Sequence, residues 1–253
     1  LSSDDCDSST STPTSKIIST TPQHTQQQQQ RKSKKNQSSS QKKKQQQNEN
    51  EAQLSFEEKA RYLALDCEMV GVGHGGKKSS VARVTLVDWD GRIVWDEFVR
   101  QEQEVTDYRT FVSGITPLDM EVATLTFDEC RQKVQTMISN KILVGHALKN
   151  DMRALNITHP WYITRDTAKY EPFMKTRFDD AILWPRKLKE LAFEKLQGRK
   201  IQREGEPHSA HEDAAAAMAL YRTVRTKWEK VMDYKISKTK EFEQPRTATT
   251  TTI

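Results

Sequence analysis

Only three cysteines occur in the 253 residues, Cys6, Cys67 and Cys130, and no two stand at a C-x-x-C spacing. An odd, scattered set supports neither a disulfide framework nor a thiolate zinc site, and it fits a reducing compartment. No apolar run approaches the roughly 18 residues of a membrane span, and the first residues are Ser, Asp and Thr rather than a cationic stretch followed by an apolar one. These absences argue against membrane insertion and secretion. The chain opens on Leu1 rather than Met, which points to an incomplete upstream end. Apolar residues are scarce as well, at 34% of the whole with a mean hydropathy of -0.84.

That scarcity is confined to the ends. Residues 1 to 50 hold four apolar side chains (Leu1, Cys6, Ile17 and Ile18), and residues 236 to 253 hold four more. Between them the apolar share rises to about 42%, enough for one core. The expected organisation is a disordered, low-complexity, basic and Gln-rich tail over 1–54, one folded domain over 55–235 that carries the function, and a disordered C-terminal tail over 236–253.

Charge is uneven too. The formal net charge is +5, and residues 1 to 50 supply most of it, with eight Lys or Arg against four acids. Arg31, Lys32, Lys34, Lys35, Lys42, Lys43 and Lys44 lie among Gln and Ser. Such a segment reads as a nuclear or nucleolar address or an RNA-tethering arm, with a solvated linker as the alternative. Two further basic stretches, 186–203 and 222–240, would guide a nucleic-acid strand or form solvated helix faces.

In the central domain, RYLALDCEMVG alternates Leu63, Leu65, Cys67 and Met69 against Ala64, Asp66, Glu68 and Val70. This is strand periodicity, and it places both carboxylates on one face. Glycines over 71–76 turn the chain, and 81–87 with 92–99 read as strands joined at Asp90-Gly91. The opening is an antiparallel three-strand meander. Next come a helix over 127–138, a short buried strand over 141–145, a helix that starts near Asp151, and a fifth strand over 162–164, the later strands pairing in parallel.

Three clusters carry chemistry. Two acids at i and i+2 on a strand face suit a divalent cation with hard oxygen ligands, unless one simply points to solvent from an edge. Asp151 follows the apolar strand in GHALKND, where ligands gather at carboxyl ends of strands; a helix-start acid held by the dipole is the alternative. In HSAHEDA, Ser209 and Glu212 form a capping box. That puts Asp213 one turn inside an Ala-rich helix and leaves His208 in the preceding loop.

LDCEMVG, GHALKND and HSAHEDA together resemble the three motifs of the DEDDh 3′ to 5′ exonucleases. LDCEMVGVG, ARVTLVD, DEFVR, VTDYRTFVSGIT, RDT and LKELA place the resemblance, over about residues 61–225, among the eukaryotic RNA exonucleases. Ser209, standing where the sister class has Tyr, favours the histidine subclass, and His211 is an additional histidine inside the motif. The resemblance implies an α/β, RNase H-like fold with a mixed five-stranded sheet flanked by helices. It implies Asp66, Glu68, Asp151 and Asp213 as ligands of two Mg²⁺ ions, with Mn²⁺ able to substitute, and His208 as the general base. Single-stranded RNA 3′ ends, those of ribosomal RNA precursors in this branch, would be cut to nucleoside 5′-monophosphates in the nucleus or nucleolus. Met69 and Val70 would touch the last base, and Arg109 and Asn150 the sugar or phosphate. A DNA-directed repair exonuclease and a catalytically silent RNA-binding module are the competing readings.

Overall fold

The structure, a computed structural model, describes residues 54–176 and 182–243. Its strands are β1 (Tyr62–Val72), β2 (Lys78–Val87), β3 (Ile93–Phe98), β4 (Val105–Asp107), β5 (Ile142–Gly145), β6 (Thr164–Asp166), β7 (Lys175–Thr176) and β8 (Leu183–Trp184). The helices are α1 (Phe56–Lys59), α2 (Thr110–Ser113), α3 (Pro117–Val122), α4 (Phe127–Ile138), α5 (Lys149–Ala154), α6 (Leu188–Lys195) and α7 (Ala210–Glu243). The main sheet runs β3-β2-β1-β5-β6, with β1, β2 and β3 antiparallel and β5 and β6 parallel to β1. This is the α/β, RNase H-like arrangement that the motifs imply.

Two details depart from expectation. The sheet has six strands rather than five, because β4 pairs with the end of β1 through Gly71 and Val72. Three residues are too few to display an alternation. The strand expected over 162–164 begins at Thr164, since Trp161–Ile163 close a 3₁₀ turn in which the Ile163 amide donates to the Pro160 carbonyl. β7 and β8 form a separate two-stranded sheet.

β1 is the centre of the domain and is covered on both faces. Leu63, Leu65 and Cys67 join Cys130, Val134 and Ile138 of α4 and Leu148 and Leu155 beside α5 in one buried cluster. Tyr62 and Ala64 join Ala214, Met218, Tyr221, Trp228 and Met232 of α7 in another. Each large side chain so buried contributes about 1.5–3 kcal/mol. Small residues bring α7 close: Ala214, Ala216 and Ala217 are buried. Arg165 of β6 completes the attachment, its buried guanidinium donating to both carboxylate oxygens of Glu229 on α7 at 2.8 and 2.7 Å.

The turn after β2 needs glycine. Gly91 has φ +79, and a Cβ there would press on Ala215 of α7. The domain limits drawn from composition fall partly outside the described residues, as do the tail residues 1–53 and 244–253. Within them, α7 runs unbroken past the expected limit at 235, to Glu243. Among the described residues no helix is long and apolar enough to cross a membrane.

Candidate active site

Asp66 and Glu68 project from β1 on the face that α7 covers, opposite Thr85 and Arg83 of β2. Glu68 is buried, and its Oε1 has no hydrogen-bond partner. Asp213 enters from the first turn of α7, where its amide donates to the Ser209 carbonyl. Its Oδ2 accepts from Gln202 Nε2 at 2.6 Å, while its Oδ1 is buried and unpartnered. Ser209 Oγ accepts from the Glu212 amide at 3.4 Å, one of the two bonds of the expected capping box. His208 stays outside the helix, anchored by its own amide to the Val112 carbonyl, with Nδ1 3.9 Å from Asp213 Oδ2. Asp66, Glu68, His208 and Asp213 line one cleft of about 450 Å³ together with Cys67, His146, Lys187, Leu188, Lys189 and Gln202. Asp151, buried in the first turn of α5, stands against this group and accepts from the Cys67 thiol.

The electrostatics are those of carboxyls crowded out of water. Burial pushes Glu68 up to about 8, with Asp213 and Asp151 adding and Arg83 opposing. Burial also raises Asp151 to about 7, against hydrogen bonds from the backbone and Cys67, and Asp213 to about 6, against the Gln202 bond. Asp66 lies well above the usual range through burial, then the charges of Asp151, Asp213 and Glu68. Four such groups ionise together only if positive charge joins them. His208 is pushed the other way, below its ordinary value, by burial and then by Lys189, even with Asp213 at 3.9 Å. Its ring is therefore neutral at physiological pH and able to accept a proton.

The remaining sequence candidates divide. Asn150 is exposed beside Asp151, and Met69 is half-buried against the main core cluster. Val70 is a correction: it is fully buried with Val72, Ala82 and Ile115, where it has no surface for a base. Arg109 is taken up by the protein, donating to Ser79 Oγ at 2.8 Å and the Gly76 carbonyl at 3.0 Å, so it holds the glycine turn after β1. His211 points away from the carboxylates, its Nε2 3.0 Å from the Gly91 carbonyl.

Several supporting residues escaped the sequence reading. Lys187, Lys189 and Gln202 reach the cleft from the basic stretch 186–203, and His146 from GHALKND, segments that the sequence marks without singling out these side chains. Asp166, buried at the end of β6, accepts at Oδ1 from the amides of Ala147 and Ala168. It thereby holds Ala147, at φ +61, in the turn that launches α5. An acid closing a short strand, within the RDT segment, was the available signal.

Among the described residues no three or more His, Cys, Asp or Glu side chains form a closed cation-holding group. The donor set nonetheless fits a hard divalent cation: all four acids are oxygen ligands, and Glu68 Oε1 and Asp213 Oδ1 are buried without partners.

Residues 63–221 match the family model described as Exonuclease, or RNase T. The chain is 42% identical over 186 residues to RNA exonuclease 4 of Mycosarcoma maydis, covering 72% of this chain and 47% of that protein. It is also 42% identical over 175 residues to RNA exonuclease 4 of Saccharomyces cerevisiae, covering 69% and 58%. It thus spans about half the length of the curated relatives it matches. Among solved structures it resembles the pseudoubiquitin hydrolase-RNA exonuclease module of Saccharomyces cerevisiae Pan2 in complex with AAGGA RNA. The TM-score is 0.56 and the identity 27%, over 76% of this chain and 35% of that one.

Proposed function

The chain belongs to the exonuclease family, and from that premise we propose that it is a 3′ to 5′ exoribonuclease that removes nucleoside 5′-monophosphates from single-stranded RNA ends. The carrying observation is the cleft in which Asp66, Glu68 and Asp213 meet His208, with two carboxylate oxygens buried and unpartnered. Relatives named RNA exonuclease 4 and the RNA-bound Pan2 module support RNA as the substrate class.

Asp66, Glu68, Asp151 and Asp213 would hold two Mg²⁺ ions, or Mn²⁺ in their place. When bound, such ions supply Lewis-acid polarisation of the phosphodiester and neutralise the developing charge. The protein's own groups do the rest. His208 accepts the proton of the attacking water, a role for which its lowered proton affinity keeps the imidazole free. Gln202 fixes one oxygen of Asp213 and leaves the other without a partner. The Cys67 thiol orients Asp151. Water adds to the terminal phosphorus, the bond to the 3′ oxygen of the preceding nucleotide breaks, and that oxygen takes up a proton. Met69 and Asn150 flank the acids as contacts to the terminal nucleotide.

The basic segment over 31–44 supports a nuclear or nucleolar site of action, and the family resemblance is what supports ribosomal RNA precursors as the substrate. The deciding experiment incubates the protein and Mg²⁺ with matched single-stranded RNA and DNA oligonucleotides labelled at the 5′ end. Stepwise shortening of RNA is expected. Preference for DNA would install the repair reading, and binding without shortening the silent-module reading.

A further inference from the structure

Two lysines at the start of α6 reach the cleft that carries Asp66, Glu68, His208 and Asp213. Their neighbour Arg186, just before the helix, is engaged by acids of α6, with Glu194 at 2.6 Å and Glu190 at 3.7 Å. Lys187 and Lys189 are exposed, and among the described residues neither ammonium enters an ion pair or a hydrogen bond. The helix also begins uncapped. Lys187 occupies the cap position with no side-chain bond to the first turn, as a lysine, having no acceptor, must. Backbone bonding starts with the amides of Glu190 and Leu191, both donating to the Lys187 carbonyl, so the amides of Leu188 and Lys189 remain as donors.

An uncapped eight-residue helix start is a modest anion site by itself. A second observation gives it direction: Glu68 Oε1 and Asp213 Oδ1 are buried, unpartnered and part of the same cleft. Acids without partners on one side and cations without partners on the other suit a ligand that brings cations to the first and a phosphate to the second. His146, which also lines the cleft, has Nδ1 2.9 Å from Thr167 Oγ1.

We infer that Lys187, Lys189 and the amino end of α6 form a phosphate subsite that holds the internucleotide phosphate adjoining the one cut, on its 5′ side. The inference rests on the exonuclease reading, because the scissile phosphate belongs against the four carboxylates and their cations. At a 3′-hydroxyl end the scissile linkage is the last one in the strand. Any additional phosphate must therefore lie upstream. The subsite requires at least one further nucleotide beyond the linkage cut, so it favours strands of three or more nucleotides over dinucleotides.

The test measures kcat and KM for the full chain, Lys187→Ala, Lys189→Ala and the double variant on two RNA oligonucleotides. One is unmodified and the other carries an uncharged methylphosphonate at the second linkage from the 3′ end. At pH 8, where His208 stays neutral without the Lys189 charge, the double variant should raise KM about tenfold on unmodified RNA with little change in kcat, since a charge-assisted contact is lost. The slope of log(kcat/KM) against log salt should flatten by about 0.7 per lost contact. On the methylphosphonate strand wild type and variant should coincide. An equal penalty on both strands would mean that the lysines only balance the carboxylates and would overturn the subsite, as would no penalty on either. A wild type that shortens neither strand would instead overturn the exonuclease reading.

Discussion

His211 Nε2 lies 3.0 Å from the backbone carbonyl of Gly91, whereas His208, three residues earlier, opens on the carboxylate cleft. A carbonyl only accepts, so the His211 ring carries its proton on Nε2 and ties the first turn of α7 to the β2–β3 hairpin. Two histidines of one motif are thereby separated into a chemical and a structural one. His208→Ala should lower kcat by about 10² to 10⁴ while cation and RNA binding persist. His211→Ala should lose about 1 kcal/mol of stability and little activity. Steady-state kinetics and thermal melting of both variants check this, and the reverse ranking would exchange the two roles.

Asp213→Asn should fold and lose cleavage. A neutral amide withdraws one charge from the set of four acids and offers the cations a weaker ligand. Circular dichroism together with an oligonucleotide assay decides it; turnover near that of wild type would remove Asp213 from the cation site.

Gln202 sits at φ +48, a strained value for a side chain other than glycine, and donates to Asp213 Oδ2 at 2.6 Å. Gln202→Ala should lower kcat about tenfold and raise the Mn²⁺ concentration needed for half-saturation, read by calorimetry as well as by activity. Gln202→Gly relieves the backbone and still lacks the donor. It should therefore melt higher than the alanine variant with the same kinetic loss. Full activity in the glycine variant would show that only the backbone matters.

The buried acids set the sign of the pH dependence. Glu68 at about 8, Asp151 at about 7 and Asp213 at about 6 all lie above their unfolded values, so the folded state binds more protons between pH ~4 and ~8. Their stabilising effect is present below the unfolded values and is lost as pH rises through the folded ones. Without divalent cations Tm should fall from pH 5 to 8. Glu68→Gln should shrink that fall by about 2–4 °C, on the order of 1 kcal/mol. Mg²⁺ at pH 8 should restore wild type by about 2.7 kcal/mol at one hundred times its Kd. A Tm that rises from pH 5 to 8 without cations would contradict the crowding of these acids.

Deleting residues 1–50 removes eight cations and four acids and none of the proposed ligands. The rate on a short oligonucleotide should stay within about twofold, while binding to long RNA weakens and its salt dependence flattens, as fewer counterions are released. Nuclear accumulation of a fluorescent fusion should fall. Unchanged salt slopes and unchanged nuclear signal would leave the segment a linker.

The parts readable from sequence were those governed by short-range periodicity. The two-residue repeat of β1 placed Asp66 and Glu68 on one face, and the Ser209–Glu212 spacing set Asp213 inside α7 with His208 outside it, because strand and helix geometry link neighbours in a chain by fixed rotations. β4 was too short for such a signal, and the start of β6 was displaced by the turn after Pro160. Val70 looked available because alternation reports a face without reporting what covers it, and α2 and α3 bring Ile115 and Met120 over that position.

Sequence alone determined the acids, their order and their chemical class, since ligand type is a property of the side chain. Tertiary structure alone decided which histidine faces the acids, which oxygens lose their partners, and that Gln202, Lys187 and Lys189 share the cleft. Those relations join residues far apart in the chain. Their distances follow from α7 packing on the sheet through buried alanines and from the loops between β6 and α7, and no local repeat encodes them.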